Sequence, residues 1–349
     1  MKQGTALVAG ATGIVGRNTI EQLLAGGWEV VGLSRQTPKV ETDYRHIAVD
    51  LADAEACRAS LDGLDGITHV FYAARADRED KFAEAELSRH MLANLMDAVE
   101  PNAPRLEHVH LMHGTKWYAN QNGPYKTPAK EDDPRALVPI FYYQQQDEIA
   151  ARQQGKAWHW STLRPGLICG FSVGYPHNLM TLIAVYAVVS KELGLPLRFP
   201  GSPGCYATLY QAVDVGLLGR ASIWAATTPA CANQAFNIHN GDYYRWETLW
   251  PRLADFFGME AGPVQAISLA RLMPAYEAVW DAAVAKYDLV PHAYADMAHW
   301  SFGDLIFDIW WDDISSIVKL RQYGFAEAMD TEQMFLDILA DFRRRRIVP

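Results

Sequence analysis

The sequence predicts an α/β protein: a doubly wound parallel sheet with a smaller, mainly helical lobe formed by the C-terminal half. Three observations carry this. The chain opens on an apolar run that enters glycines spaced three apart, Ala6-Leu7-Val8-Ala9-Gly10-Ala11-Thr12-Gly13-Ile14-Val15-Gly16. Short apolar runs then alternate with helical segments through the first half, the pattern of successive βα units. Beyond about residue 166 the alternation loosens, and aromatics, prolines and glycines become dense, as in Phe171-Ser172-Val173-Gly174-Tyr175-Pro176.

Taken in order, strands are predicted at 5–10, 28–34, 45–50, 67–74 and 107–113, and helices at 14–26, 52–62, 78–99 and 140–154. The strands read as continuous apolar stretches rather than alternating ones, as expected when helices cover both faces of a parallel sheet. Trp158 to Arg164 reads as a sixth strand, and Ala235-Phe236-Asn237-Ile238 as a strand returning to the sheet from later in the chain. The division is therefore residues 1–165, with the returning strand near 235–240, as a Rossmann domain, and 166–349 mostly as a substrate-binding lobe over the sheet's carboxyl edge, interleaved with the sheet. Segments 166–230 and 241–310 are read as building that lobe. Leu179 to Val189 is too short and too interrupted to span a bilayer and reads as a buried helix. A last helix is predicted from about Thr331, its final turn carrying Arg343-Arg344-Arg345-Arg346 against the helix dipole.

The opening glycines have separate duties. Gly10 allows a tight turn, Gly13 lets the main chain approach a pyrophosphate, and Gly16 lets the helix pack closely on the sheet. The helix N-terminus presents free N–H groups to an anion. Thr12 and Ile14 lie in the same turn and are placed at the dinucleotide with them. An NAD-preferring site usually ends its second strand in a carboxylate. Here the position reads Gly32-Leu33-Ser34-Arg35, and a hydroxyl beside a guanidinium suits the additional 2′-phosphate of NADPH. Asp50 and Leu51 after the third strand fit an adenine site, and Ala73-Ala74 after the fourth allow close approach of the cofactor.

Composition narrows the partners. The 349 residues carry a formal charge of −10, which argues against nucleic acid. No cleavable apolar leader opens the chain, since Met1-Lys2-Gln3 runs into the first strand, and no membrane partner is expected. Cys57, Cys169, Cys205 and Cys231 lack paired spacing and read as free thiols of a reducing cytoplasm. His108 and His110 share a strand face but lack a third ligand, so they read as sheet-packing residues rather than a metal site.

Most short-chain dehydrogenases place Tyr-x-x-x-Lys on the helix after the fifth strand. Here that helix reads Phe141-Tyr142-Tyr143-Gln144-Gln145-Gln146-Asp147, with no lysine four residues on. A lysine stands instead just after the fifth strand, in His113-Gly114-Thr115-Lys116-Trp117-Tyr118. Both segments project toward the sheet's carboxyl edge.

At these residues the chain resembles the progesterone 5β-reductase/iridoid synthase-like (PRISE) reductases, an atypical branch of the short-chain dehydrogenases. The glycine motif, Phe71-Tyr72-Ala73, Gly114-Thr115-Lys116-Trp117-Tyr118 and Phe141-Tyr142-Tyr143 resemble that family's motifs in the right order. So do Arg164-Pro165-Gly166, Asn240-Gly241-Asp242, Phe302-Gly303-Asp304 and the ending Arg346-Ile347-Val348-Pro349. The resemblance implies NADPH-dependent reduction of the C=C bond of an α,β-unsaturated ketone or aldehyde, with Tyr142 and Lys116 as the catalytic pair and a homodimer as the assembly. Tyr142 would stabilise the enolate oxygen, and Lys116 would lower the phenol's pKa. Tyr143 is the alternative tyrosine. The family commonly has His where Trp117 stands, Asn where Ile140 stands and Asn where Leu167 stands, so the expected substrate is a small hydrophobic enone or enal facing a more apolar wall. Phe302, Trp300, Leu167 and Tyr206 are the expected pocket residues. The alternatives are carbonyl reduction or epimerisation of the extended short-chain dehydrogenase type, and a non-catalytic NADP-binding regulator.

Overall fold

A computed structural model describes residues 3–38 and 42–349; Met1 and Lys2, read above as leading into the first strand, lie outside the described residues. Among the described residues up to 165, six strands and four α-helices follow one another. They are β1 (Thr5–Ala9), α1 (Ile14–Ala25), β2 (Glu29–Ser34), β3 (Arg45–Ala48), α2 (Ala54–Leu61), β4 (His69–Tyr72), α3 (Lys81–Asn102), β5 (His108–Met112), α4 (Phe141–Gln153) and β6 (His159–Pro165). The strand Gln234–Ile238 completes a seven-stranded sheet beside β6. Across the sheet the order is Gln234–Ile238, β6, β5, β4, β1, β2, β3, and every pair is parallel. Strand order reverses between β1 and β4, the crevice where doubly wound sheets bind ligands.

The apolar strands divide their side chains between two covered faces. Ala6 and Val8 of β1 pack with Ile20 and Leu23 of α1, while Leu7 and Ala9 pack with Leu61 of α2 and with Leu92 and Leu95 of α3. Local chemistry starts the helices: the Asp53 carboxylate accepts hydrogen bonds from Glu55 N and Ala56 N at the head of α2, and Asp80 does the same for Phe82 N at the head of α3. His108 Nε2 and His110 Nδ1 both meet the Ser161 hydroxyl, at 2.8 and 2.9 Å, and so tie β5 to β6.

The lobe has its own core, in which α5 (Leu179–Glu192) packs with the helices Trp246–Phe256, Trp300–Phe307 and Thr331–Arg344. Residues 179–190 of α5 are all buried. Segment 166–230 is not wholly lobe, however. Its helix Val215–Thr227 lies beside α1 on the sheet, with Leu217, Leu218 and Ala221 against Leu163 and Phe236. The terminal arginines are also used differently from the reading above. Only Arg343 and Arg344 lie within the helix. Arg344 and Arg345 pair with Asp341, Arg346 pairs with Asp288 at 2.6 Å, and Arg343 donates to Phe256 O and Pro349 O. Each of the four arginines thus has a specific partner. The four cysteines are buried and unpaired. Among the described residues no helix is long and apolar enough to cross a membrane.

Candidate active site

Four strand ends converge on one side of the sheet. β1 runs into Gly10, β4 into Ala73, β5 into His113 and β6 into Gly166. Gly10 has φ +86°, and a Cβ there would stand 2.8 Å from the Ala73 carbonyl, so no other residue fits this turn without displacement. A Cβ on Gly16 would collide with the Gly10 carbonyl oxygen, which makes Gly16 a packing residue beneath the turn. Gly13 caps α1 without any side-chain hydrogen bond, and a Cβ there would have no atom nearer than 3.4 Å. The first N–H groups of α1 thus face an open cradle, an arrangement suited to a pyrophosphate.

That cradle is one end of a groove of about 650 Å³. Gly10, Thr12, Gly13 and Ala73 line its floor, and Ser34, Arg35, Asp50 and Leu51 line its outer end. Arg35 is exposed at the mouth. The Ser34 hydroxyl donates to Gln36 O and lies 2.8 Å from His46 Nε2. Asp50 Oδ1 accepts from Ala52 N.

At Ala73, Ala74 and Arg75 the groove meets a second cavity, of about 440 Å³. Tyr142 and Lys116 both line this cavity, as do Ile14, Leu167 and Phe302. Lys116 sits in the turn Thr115–Tyr118 after β5, and Tyr142 in the first turn of α4. The tyrosine hydroxyl lies 3.1 Å from where a Cβ on Gly114 would stand, so that glycine makes room for it. Burial pushes the Tyr142 phenol up to about 12, and the cation that chiefly opposes the rise is Arg75 rather than Lys116. Lys116 faces Glu84 at 3.9 Å instead, and burial holds its ammonium below the usual lysine value. Tyr143, the alternative tyrosine, does not line the cavity. Its hydroxyl donates to Trp117 O at 2.6 Å and accepts from Ala136 N at 2.9 Å, away from the cavity.

Two expected pocket residues fall elsewhere. Trp300 is buried in the lobe core, its ring 5.7 Å from that of Tyr294, because it begins a short helix whose cavity face is taken by Phe302, Leu305 and Ile306. Tyr206 packs on Phe199 at 4.9 Å, behind the cavity wall. Tyr210 is the aromatic that reaches the cavity from that region, with its hydroxyl donating to Ile309 O.

Tyr175, which the sequence places with Phe302 among the aromatics capping the site, does reach it, and the structure adds residues to which the sequence assigns no role. Tyr175 and His177 line both groove and cavity, and His177 lies edge-on to Phe302. The buried His113 ring stacks on Trp117 and meets the Tyr142 ring at a tilt, with centroids 5.7 and 4.8 Å apart. Burial depresses it well below the usual histidine range, so it stays neutral. Gln146, four residues after Tyr142 where the common motif has lysine, accepts from Arg164 Nη2. The Arg164 guanidinium lies 3.6 Å from the centre of the Trp117 ring and donates to the Tyr118 hydroxyl and Glu131 O, bracing the floor of the site.

The fold and this crevice define a Rossmann-fold protein, a doubly wound parallel sheet with its crevice where the strand order reverses. In agreement with that class, the chain superposes over 98% of its length on 99% of a UDP-glucose 4-epimerase from Thermotoga maritima, with TM-score 0.71 and 14% identity. A Thermus thermophilus UDP-glucose 4-epimerase in complex with NAD gives 0.67 at 19% identity, over 97% of this chain and 99% of that one. At these identities the likeness is one of fold. Residues 48–349 match the model of the PRISE-like Rossmann-fold domain. An (S)-8-oxocitronellyl enol synthase of Nepeta racemosa is 35% identical over 99% of this chain and 91% of its own. A 3-oxo-Delta(4,5)-steroid 5-beta-reductase of Arabidopsis thaliana is 34% identical over 99% and 94%. The chain belongs to the PRISE family.

Proposed function

We propose that this protein is an oxidoreductase that reduces the C=C bond of α,β-unsaturated ketones or aldehydes with NADPH. The observation that carries the reading is the placement of Tyr142. Its hydroxyl makes no hydrogen bond to any described residue and lines a cavity that opens onto the groove at the head of α1. The relatives named above are an enol synthase and a steroid 5-beta-reductase, names that fit chemistry on a conjugated carbonyl.

A reduced nicotinamide dinucleotide, when bound, supplies a hydride. Gly10, Gly13 and the N-terminus of α1 would hold its pyrophosphate, Asp50 and Leu51 its adenine, and Ser34 with Arg35 a 2′-phosphate. When the β-carbon of an enone gains hydride, negative charge collects on the carbonyl oxygen. The Tyr142 O–H donates to that oxygen, and because burial keeps the phenol protonated it acts as a donor throughout. Lys116 and Arg75 place positive charge on the same cavity wall. Conjugate reduction needs a strong donor at oxygen rather than full proton transfer to it, since the proton finally goes to the α-carbon. This suits a tyrosine without a lysine four residues on. Phe141, Leu167, Phe302 and Ile309 supply apolar walls for a small hydrophobic enone or enal. We place the protein in a reducing cytoplasm, a reading supported by its four unpaired cysteines.

The test is NADPH oxidation by the purified protein with 2-cyclohexen-1-one and with a citral-like enal, with products identified by mass spectrometry. Saturated ketone or aldehyde supports the proposal. An allylic alcohol assigns ordinary carbonyl reduction instead, and NADPH binding without turnover of either compound favours a regulator.

A further inference from the structure

Glu84 is 1% exposed, an unusual place for a carboxylate. It stands in the first turn of α3, where sequence spacing alone makes it a surface partner of Lys81. Its Oε2 does accept from Lys81 Nζ at 2.7 Å. Its Oε1 points the other way and has no hydrogen-bond partner. That oxygen faces two cations at once, Arg75 Nη2 at 3.8 Å and Lys116 Nζ at 3.9 Å. Both cations lie against the Phe141 ring, at 5.8 and 5.2 Å, and both line the cavity beside Tyr142. Arg75 also lines the dinucleotide groove and has Nη1 3.4 Å from His177 Nε2.

We propose that Glu84 is a positioning residue of the active site, its single oxygen Oε1 holding Lys116 and Arg75 together where the cavity meets the groove. The inference rests on the reading of Tyr142 and Lys116 as catalytic. Two cations converging on one small volume repel each other, and burial makes each costlier to keep charged. A buried carboxylate between them offsets both effects, and burial is tolerated only because the charges are matched. Lys81, fixed by Oε2, turns the carboxylate so that Oε1 is left for the pair. Glu84 itself does not line the cavity and acts through the two cations.

The test is Glu84→Gln, with Glu84→Asp beside it. The ε-amines are labelled by reductive ¹³C-methylation and the Lys116 resonance, assigned by its loss in Lys116→Arg, is titrated by NMR in the protein without cofactor. The groups acting on Lys116 are Glu84 and Lys81 on α3 and Arg75 and Asp77 on the preceding loop. Of these Glu84→Gln removes only the carboxylate. The Lys116 titration is expected to fall by about one unit or more, with Glu84→Asp recovering part of the shift. In turnover, kcat with enone is expected to drop at least tenfold while KM for enone changes little, and the alkaline limb of the kcat profile moves to lower pH. An unchanged Lys116 titration in a folded Glu84→Gln protein overturns the inference. If Glu84→Gln does not fold, Glu84→Asp with an unchanged titration and unchanged kcat overturns it equally. Because the titration needs no turnover, a wild-type protein inactive on enones would refute the proposed reaction while leaving the Glu84–Lys116 coupling separately measured.

Discussion

Tyr142→Phe removes one oxygen atom from a position where it bonds to no described protein group. The structure therefore separates its effects on folding and catalysis. No hydrogen bond is lost on substitution, so stability should stay within about 0.5 kcal/mol of wild type. In the role proposed for Tyr142 the lost donor serves a developing oxyanion, and removing such a donor costs about 10²–10³ in kcat, or about 3–4 kcal/mol. Tyr143→Phe should invert the pattern. Its hydroxyl holds Trp117 O and Ala136 N, so its loss leaves the buried Trp117 carbonyl unsatisfied and costs about 1–3 kcal/mol of stability, with a smaller effect on kcat. The assay pairs denaturant melts with steady-state NADPH oxidation on one enone, and cofactor fluorescence checks that Tyr142→Phe still binds NADPH. Full turnover by Tyr142→Phe, or a heavier loss of kcat in Tyr143→Phe, would refute the assignment of the donor.

Three more outcomes follow from the same geometry. Arg35→Asp places a carboxylate at the mouth of the groove and should lower the ratio of kcat/KM for NADPH over NADH by about tenfold or more, measured with either coenzyme saturating in turn. On the alkaline side, burial lowers the Lys116 ammonium below its ordinary value while Tyr142 is pushed up to about 12. The first alkaline loss of kcat should then be that of Lys116 and should be absent from the residual activity of Lys116→Met. On the acid side, burial depresses His110 to about 3 and His113 well below the usual range. The unfolded chain takes up protons below about pH 6.5 that the folded chain refuses, so this stability is present above that pH and lost as pH falls. Each such fully buried histidine should cost about 2 kcal/mol by pH 5, read as a fall in thermal midpoint that is reduced in His110→Gln.

The strands of the sheet were legible because two-sided burial writes itself as continuous apolar runs. The predicted strands at 28–34 and 107–113 shorten only to Glu29–Ser34 and His108–Met112. The turn at Gly10 was legible for a related reason, since a backbone with φ +86° closed against Ala73 admits only glycine. Tyr142 and Lys116 were marked by motif order. Arg75, Glu84 and His177 were not, because each gains its meaning from a contact far along the chain. Glu84 reads as one charge among many on an acidic helix until Lys116 and Arg75 are seen to close over it. Trp300 and Tyr206 show the converse: aromatic residues cluster in the lobe, and only packing decides which face the cavity. The Val215–Thr227 helix sits on the sheet because its buried Leu217, Leu218 and Ala221 find Leu163 and Phe236 there, a choice that local pattern does not distinguish from lobe packing.

The most direct test of the central claim is to follow a deuteride from 4-deuterated NADPH into the product of 2-cyclohexen-1-one. The expected result is cyclohexanone carrying deuterium at the β-carbon, with the α-proton drawn from solvent. Deuterium at the carbonyl carbon of an allylic alcohol would contradict the account.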